Sequence, residues 1–298
     1  MATDKLNALR VFRRVAESGS FTKAADELNI TAATVSKHIA FLEQDLETRL
    51  INRTTRRMNL TDAGLSFLAR TQALLDDLEE AEQEVKGLQS GASGTLRINA
   101  PMSFGLTHVT DAIDSFLIEY PNIQVDLQLN DHIIDLVQQG VDIAIRVRQK
   151  LSDSSLIAKP MRQSRNIICA APSYLAKSPK IETPEDLAAH NCLQFTLHDK
   201  PNIWHLANQD WKVAGNYRAD SSLALRQSLL KGRGVGFVPR FLVQEDIENQ
   251  RLSPVLENFP AAPYTVFALF PPGRKQPMKV KLFLNHLDQH LGDKPYWE

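Results

Sequence analysis

Apolar positions at the start of the chain recur at intervals of three and four and are interrupted twice, the pattern of three short amphipathic helices. From about residue 5, LNALRVFRRVAES sets Leu6, Leu9, Phe12 and Val15, with Ala16, on one face, and Gly19 stands where a left-handed cap closes such a helix. In SFTKAADELNI, Ser20 or Thr22 can cap a second helix carrying Ala24, Ala25 and Leu28 inward, with a turn at Asn29 and Ile30. A third begins at Thr31, whose hydroxyl can accept the first backbone N–H groups, and presents Val35, Ile39, Leu42 and Leu46 to a core. Two helices of this size about a short turn suggest helix-turn-helix. RLINRTTRRMNLT then alternates Leu50, Ile51, Met58 and Leu60 around a basic polar tip, the pattern of a two-stranded wing.

Residues 61–90 predict one long helix, capped by Thr61 with Asp62 complementing its dipole. Thr71, Leu74, Leu78, Ala81, Val85 and Leu88 form a coiled-coil seam suited to dimerisation, while Leu65, Leu68 and Leu75 can pack back on the winged region. After the small-residue hinge SGASG the period changes. TLRINA, YPNIQVDLQLN and VDIAIRV predict strands, alternating with helices over about 103–119 and in IIDLVQQG. A second series runs from NIICAAPSYL to VGFVPRFLV, and YTVFALF with PMKVKLFLNHLDQHL closes the chain. This alternation implies parallel α/β sheet with helices on both faces. The last strand and helix have no local partner and fit best returned to the first α/β half, with crossovers near residues 161–166 and 260–265.

Composition allows two or three domains in 298 residues, with 43% hydrophobic content. The net charge of −1 conceals a division along the chain. Residues 1–60 hold ten Lys/Arg against seven Asp/Glu, and residues 61–90 hold two against seven. Arg49, Arg53, Arg56 and Arg57 cluster in the wing, the local distribution of a nucleic-acid footprint. The two cysteines, Cys169 and Cys192, have no paired or metal-like spacing, which favours a reducing compartment. No cleavable leader and no run of about 18 apolar residues is present, so the expected location is cytoplasmic, away from any membrane.

The residues opening the third helix suit entry into a DNA major groove. Ala32, Ala33 and Thr34 make its end narrow, Thr31, Thr34 and Ser36 can bond bases or phosphates, and Lys37 and His38 lie one turn deeper. From Leu9 to Gly64 the chain resembles the winged helix-turn-helix of LysR-type transcriptional regulators, through SFTKAADEL, AATVSKHIAFLE, RLINRTTRR and LTDAG in order. That resemblance implies DNA contacts by Thr31, Ala32, Ala33, Thr34, Ser36, Lys37 and His38 in the helix and by Arg53, Thr54, Thr55 and Arg56 in the wing. Two departures stand out. Ala32 and Ala33 replace the Gln-Pro or similar pair of many members, which points to apolar or indirect base readout, and Glu47 replaces a turn glycine.

The resemblance implies a whole architecture: an N-terminal winged helix-turn-helix (all-α with a small wing) over 1–60, a long linker and dimerisation helix over 61–90, and a C-terminal α/β domain over 91–298. This last domain is two-lobed and periplasmic-binding-protein-like, with lobe I about 91–162 and 265–298 and lobe II about 163–264. Its implied partners are double-stranded DNA, a small-molecule effector in the cleft, a second copy in a homodimer or paired copies in a homotetramer, and RNA polymerase as a possible contact. No cofactor and no metal is implied. Ligands in such folds bind beyond strand ends and at helix N-termini, which selects Ser103, Asn130, Asp131 and Arg146 from one lobe, and Gln194, Phe195, Thr196, Ser221 and Ser222 from the other. Each of these can instead cap a helix or bond across the lobes. Arg146 can pair with an effector carboxylate, a small organic or aromatic acid, or equally with Asp131.

The rival reading is a small-molecule binding protein or enzyme whose N-terminal region serves only assembly. Its chemistry has little support in the sequence. GRGVGFVP follows a helix and precedes a strand, the reverse of a dinucleotide fingerprint. His286 and His290 share a face of a terminal helix without a third ligand and suit a solvated face, and HNC at 190–192 has neither nucleophile elbow nor oxyanion loop.

Overall fold

Residues 4–53, 58–85, 92–131, 136, 139–151, 155–272, 276–293 and 295–297 are described by a computed structural model of the chain. These residues separate into two compact units: 1–95 with 122–124 and 134–142, and the remainder.

In the first unit, α1 (Lys5–Ser18), α2 (Phe21–Glu27) and α3 (Ala32–Asp45) each start at a side-chain cap. Asp4 accepts from Leu6 N–H, Ser20 from Lys23 N–H and Thr31 from Thr34 N–H. The choice between Ser20 and Thr22 thus falls to Ser20. Gly19 takes the left-handed conformation, φ +64°, and its N–H closes α1 on the Val15 carbonyl. Glu47 occupies the turn after α3 at φ +50°, so the turn keeps its geometry with a side chain bearing the strain a glycine would avoid. Phe12, Val15, Ala24, Val35, Ile39 and Leu42 are wholly buried together.

Strands β1 (Ile51–Arg53) and β2 (Met58–Leu60) pair antiparallel as the wing, with Ile51 opposite Leu60. Helix α4 (Asp62–Val85) follows, its Thr61 cap accepting from Gly64 N–H and donating to the Arg49 carbonyl. A Cβ at Gly64 would stand 2.1 Å from the Leu50 oxygen, which explains why a glycine ends the LTDAG segment. Leu75 and Leu68 pack on the winged core as the stripe predicts, and Phe67 meets Phe12 with ring centroids 5.7 Å apart. Two positions differ. Leu65 is exposed, and Thr71 of the expected seam is buried within its own chain, its hydroxyl bonded to the Phe67 and Leu68 carbonyls.

From Gly94 the chain continues through β3 (Gly94–Ala100), α5 (Met102–Phe104), a π-helical turn Gly105–Val109, α6 (Thr110–Glu119), β4 (Ile123–Leu129), β5 (Ile143–Arg148) and β6 (Ile157–Ser164). Then come β7 (Asn166–Ala170), α7 (Pro172–Leu175), β8 (Cys192–Phe195), the hairpin β9 (Ile203–Leu206) and β10 (Gln209–Lys212), and β11 (Arg218–Ala219). The chain closes with α8 (Ser222–Leu230), β12 (Val235–Pro239), α9 (Arg240–Glu248), β13 (Ser253–Val255), β14 (Tyr264–Phe270) and α10 (Met278–Leu291). The helix expected in IIDLVQQG falls largely outside the described residues.

Two five-stranded sheets result, in the orders β4-β3-β5-β14-β6 and β11-β8-β12-β7-β13. As expected, the last strand returns to the first sheet, but the sheets are mixed rather than parallel. β14 runs antiparallel to β5 and β6, and β12 antiparallel to β7. The crossovers cause this. β6 leaves the first sheet and β14 comes back beside it, so they must oppose, and β7 enters the second sheet directly from β6 without a helical return. The first crossover is Arg165 alone, so Gln163 and Ser164 belong to the first sheet, as does Tyr264.

Candidate functional site

Helix α3 exposes one edge of its first two turns. Thr31, Ala32, Ala33 and Lys37 face solvent, Thr34, Ser36 and His38 are half-buried, and Val35 and Ile39 hold the opposite face in the core. The Thr31 and Thr34 hydroxyls lie 2.9 Å apart and Thr31 Oγ1 also accepts the Thr34 N–H, so both are oriented before any ligand arrives. His38 Nδ1 is buried without a hydrogen-bond partner among the described residues. Arg53 ends β1, while Thr54, Thr55 and Arg56 lie outside the described residues. A residue the sequence reading missed joins helix to wing. Glu43, buried on α3, accepts through Oε1 from the Leu50 and Ile51 N–H groups at 3.0 and 3.1 Å, and Arg49 pairs with its Oε2 at 3.1 Å. This places a small, donor-bearing helix end and the base of an arginine-rich wing on one frame, geometry that suits a DNA duplex.

Of the expected dimer seam, Leu74 is exposed and Leu78 half-buried. Ala81 and Val85 lie in α4 with side chains outside the described set, and Leu88 is outside it altogether.

In the second unit the first-sheet candidates converge. Ser103 is buried in α5, and the Met102 N–H bonds to Asp131 Oδ1 at 3.2 Å, so Asp131 caps α5 and part of the expected anion site is taken by a residue of the chain itself. Asn130 donates its backbone N–H to Ala100, and its Oδ1 is buried without a partner among the described residues. Arg146 is only 8% exposed, with one guanidinium nitrogen 2.7 Å from the Ile145 carbonyl. Burial, and then the Arg148 charge, lower its pKa to about 10 against the opposing pull of Asp131. The guanidinium thus feels the Asp131 charge and still carries its own at neutral pH.

From the second sheet, Gln194 is buried, its side-chain amide donating to the Val213 carbonyl at 3.4 Å. Thr196 donates its backbone N–H to Ala219. Phe195 is half-buried and meets His198 edge-on at 5.1 Å. His198 keeps an exposed edge, but packing about its ring and the Arg148 charge hold the imidazole below its ordinary pKa. Arg148 lies two residues beyond Arg146 on the same face of β5, so period-two alternation marks it as a further candidate; for His198 the sequence holds no comparable signal. Ser221 stands at the N-cap of α8 without a side-chain capping bond, and Ser222 opens the helix, so the first N–H groups of α8 are not closed by Ser221. α5 and α8 touch. The arrangement offers two guanidiniums, an imidazole and open helix donors, chemistry that attracts an anion.

Other reactive groups are occupied. Cys169 and Cys192 are free and fully buried, and burial raises both thiols to about 12. Cys169 is paired across β12 with Gly236 and Cys192 with Val235, so the thiols sit on opposite faces of strands about 10 Å apart, beyond disulfide reach. In the HNC segment Cys192 points to the Leu187 carbonyl while His190 bonds Tyr174, which makes no dyad. His286 is not solvated as expected but links α10 to α6, with Nε2 2.8 Å from Ser115 Oγ and Nδ1 3.2 Å from Glu119. Among the described residues no cluster suits a metal ion and no helix is long and apolar enough to cross a membrane.

Comparison with known proteins agrees with this geometry. Residues 6–65 match the family model described as bacterial regulatory helix-turn-helix protein, lysR family, and residues 89–292 match the LysR substrate binding domain. The chain is 35% identical over 295 residues to the HTH-type transcriptional regulator PtxR of Pseudomonas aeruginosa, covering 98% of this chain and 94% of that protein. It resembles the solved structure of CrgA, a LysR-type transcriptional regulator from Neisseria meningitidis, with TM-score 0.65 and 32% identity over 96% of this chain and 99% of that one. A full-length structure of the Vibrio cholerae virulence activator AphB matches with TM-score 0.60 and 30% identity, covering 95% and 98% of the two chains.

Proposed function

Because the chain belongs to the LysR family of transcriptional regulators, we propose that it reads DNA through the exposed edge of α3 and the wing and answers to a small organic anion held between its two α/β lobes. The observation that carries the DNA half is the pre-oriented Thr31–Thr34 pair beside Ala32, Ala33 and Lys37 at the open end of α3. Ser36 and His38 line the deeper turn, and Arg53, Thr54, Thr55 and Arg56 enter the adjacent minor groove. The exposed Leu74 with Leu78, Ala81, Val85 and Leu88 makes the coiled-coil contact of a dimer that occupies two half-sites, and dimers pair into tetramers. The boundaries 1–60, 61–90 and 91–298 serve as the working domains, in the cytoplasm.

Purified protein is expected to retain labelled DNA from upstream of its own gene in the presence of nonspecific competitor, more weakly as salt rises. Lys37→Ala should weaken binding at low salt and flatten the salt dependence by about one ion. If Lys37→Ala, Ser36→Ala and Arg53→Ala all leave affinity and salt slope unchanged, the winged region serves assembly and the regulator reading of these residues fails.

For the effector, the supporting observation is the buried Arg146 guanidinium with Arg148 two residues further along β5, whose charge acts on both Arg146 and His198. Ser103, Asn130, Phe195, Thr196, Ser221 and Ser222 complete its walls, and Asp131 positions α5 and Arg146. An anion beside His198 must raise an imidazole pKa that the free protein holds low, so binding takes up a proton. For an organic acid selected by thermal shift, affinity should rise as pH falls toward the free imidazole pKa, which lies below its ordinary value, and level off beneath it. In His198→Gln that rise should vanish; a rise that persists removes His198 from the site.

A further inference from the structure

Three residues meet where the chain passes between the two sheets. The Arg165 carbonyl, alone between β6 and β7, accepts the N–H of Arg240 at 2.9 Å, the first residue of α9, and the hydroxyl of Tyr264 at 3.4 Å, the first residue of the returning β14. This oxygen ties both crossings at one point, a geometric pivot. Tyr296 and Trp297 lie across it. Trp297 is 2% exposed and donates its indole N–H to the Gln163 carbonyl at 3.0 Å, two residues before the pivot. The Tyr296 hydroxyl donates at 3.1 Å to the Phe241 carbonyl, one residue after Arg240.

The same two rings close an aromatic box over the start of α5. Trp297 stacks on His108 at 4.6 Å and 18°, and meets Phe104 and Phe241 edge-on at 6.3 and 6.2 Å. Phe104 from the first lobe and Phe241 from the second meet at 5.2 Å inside it. Phe104 follows Ser103 directly, so whatever holds the Phe104 ring holds the cleft-facing turn of α5. The π-helical turn at Gly105–Val109 brings His108 into the box; its imidazole is 5% exposed and its Nε2 has no partner among the described residues. Burying that nitrogen without a partner costs free energy that entering water would relieve, so the box stays closed only because its aromatic packing outweighs the cost.

We propose that Tyr296 and Trp297 are positioning residues of the effector cleft, a clamp that spans the pivot and fixes both the angle between the lobes and the placement of Ser103. The clamp hydrogen-bonds both sides of the pivot and packs on both lobes, so loosening it frees the hinge and the α5 turn together while each sheet keeps its own pairing. The proposal rests on the reading of the interlobe space as an effector site, but its test needs no effector. Failure of the cleft reading shows instead in the pH dependence of His198→Gln.

Hydrogen exchange followed by mass spectrometry on the full chain provides the test. Trp297→Ala is expected to speed exchange about tenfold in residues 102–110 and 240–248, with residues 166–170 and 235–239 of the second sheet changed by less than about twofold. Trp297→Phe, which keeps a smaller stacking ring and loses the indole N–H, should largely restore residues 102–110 while leaving the segment at 163–166 about threefold faster. Tyr296→Phe removes a hydroxyl from a half-exposed ring and should act on residues 240–248 alone. A rise spread evenly over both sheets would show general destabilisation and overturn the clamp, as would exchange at 102–110 unchanged in Trp297→Ala.

Discussion

Asp246→Ala is expected to lower the stability of the effector domain by about 3 kcal/mol, read as a fall in the urea midpoint with little change in slope. Asp246 is wholly buried on α9, and its carboxylate holds Arg226 of α8 through two contacts at 2.5 and 3.0 Å and Arg251 at 2.7 Å. Removing it leaves the Arg226 guanidinium without this acceptor and Arg251 with only the more distant Glu245, at 3.7 Å. Both reach solvent in part, with side-chain exposures of 21% and 48%, which keeps the cost at the lower end of the range for breaking a buried pair. Asp246→Asn keeps one carbonyl oxygen for Arg226 and should cost about half as much. Tryptophan fluorescence isolates the effect, because Trp204, Trp211 and Trp297 all lie in the C-terminal part of the chain. A midpoint within error of the parent would mean that neither arginine depends on this carboxylate. The loss should also reach the effector cleft, since Arg226 ties down the helix whose first residues are Ser221 and Ser222.

The sequence yields helices more readily than sheet direction, and the reason is local. α1, α2 and α3 declare themselves through caps at their own ends, Ser20, Thr31 and Gly19, and through stripes three and four residues apart. β6 does not, because IAKPMRQS lies at the edge of its sheet, half-exposed, with Pro160 in its middle and no alternation to follow. The β9–β10 hairpin turns on Ala207 and Asn208, both at positive φ, without the glycine that normally marks such a turn. Whether β14 lies parallel or antiparallel to β5 depends on where the chain crosses between lobes, a property of the path and not of the strand. At the site the same limit applies. Ser103 follows the end of β3 as the strand pattern predicts, whereas β5 runs past Arg146 to Arg148, and that Asp131 caps α5 and that the Gln194 amide bonds Val213 follow from neighbours far along the chain. Thr71 fits a coiled-coil spacing equally well on either face, and its burial shows which face its own chain took.

The second large effect is expected at Glu43. Glu43→Ala should lower DNA affinity by more than about tenfold and destabilise the winged domain by about 3 kcal/mol, because two backbone N–H groups lose their acceptor. Leu50 and Ile51, which carry those groups, are 1% and 2% exposed, so water does not readily replace the carboxylate. Glu43→Gln separates hydrogen bonding from charge. Its carbonyl can still take both N–H groups, and the lost partner, Arg49, is 78% exposed and contributes less than about 1 kcal/mol. The glutamine variant should therefore bind DNA nearly as the parent does, measured by fluorescence anisotropy at fixed salt, with the fold of each variant checked by circular dichroism. Equal losses in both variants would mean that the charge, and not the pair of backbone bonds, sets the wing. If alanine alone fails, then the carboxylate on the core side of the reading helix carries the base of the wing, and major-groove and minor-groove contacts move as one body. Neither Ala32 nor Ala33 takes part in that joint, so substitutions there should leave the wing undisturbed.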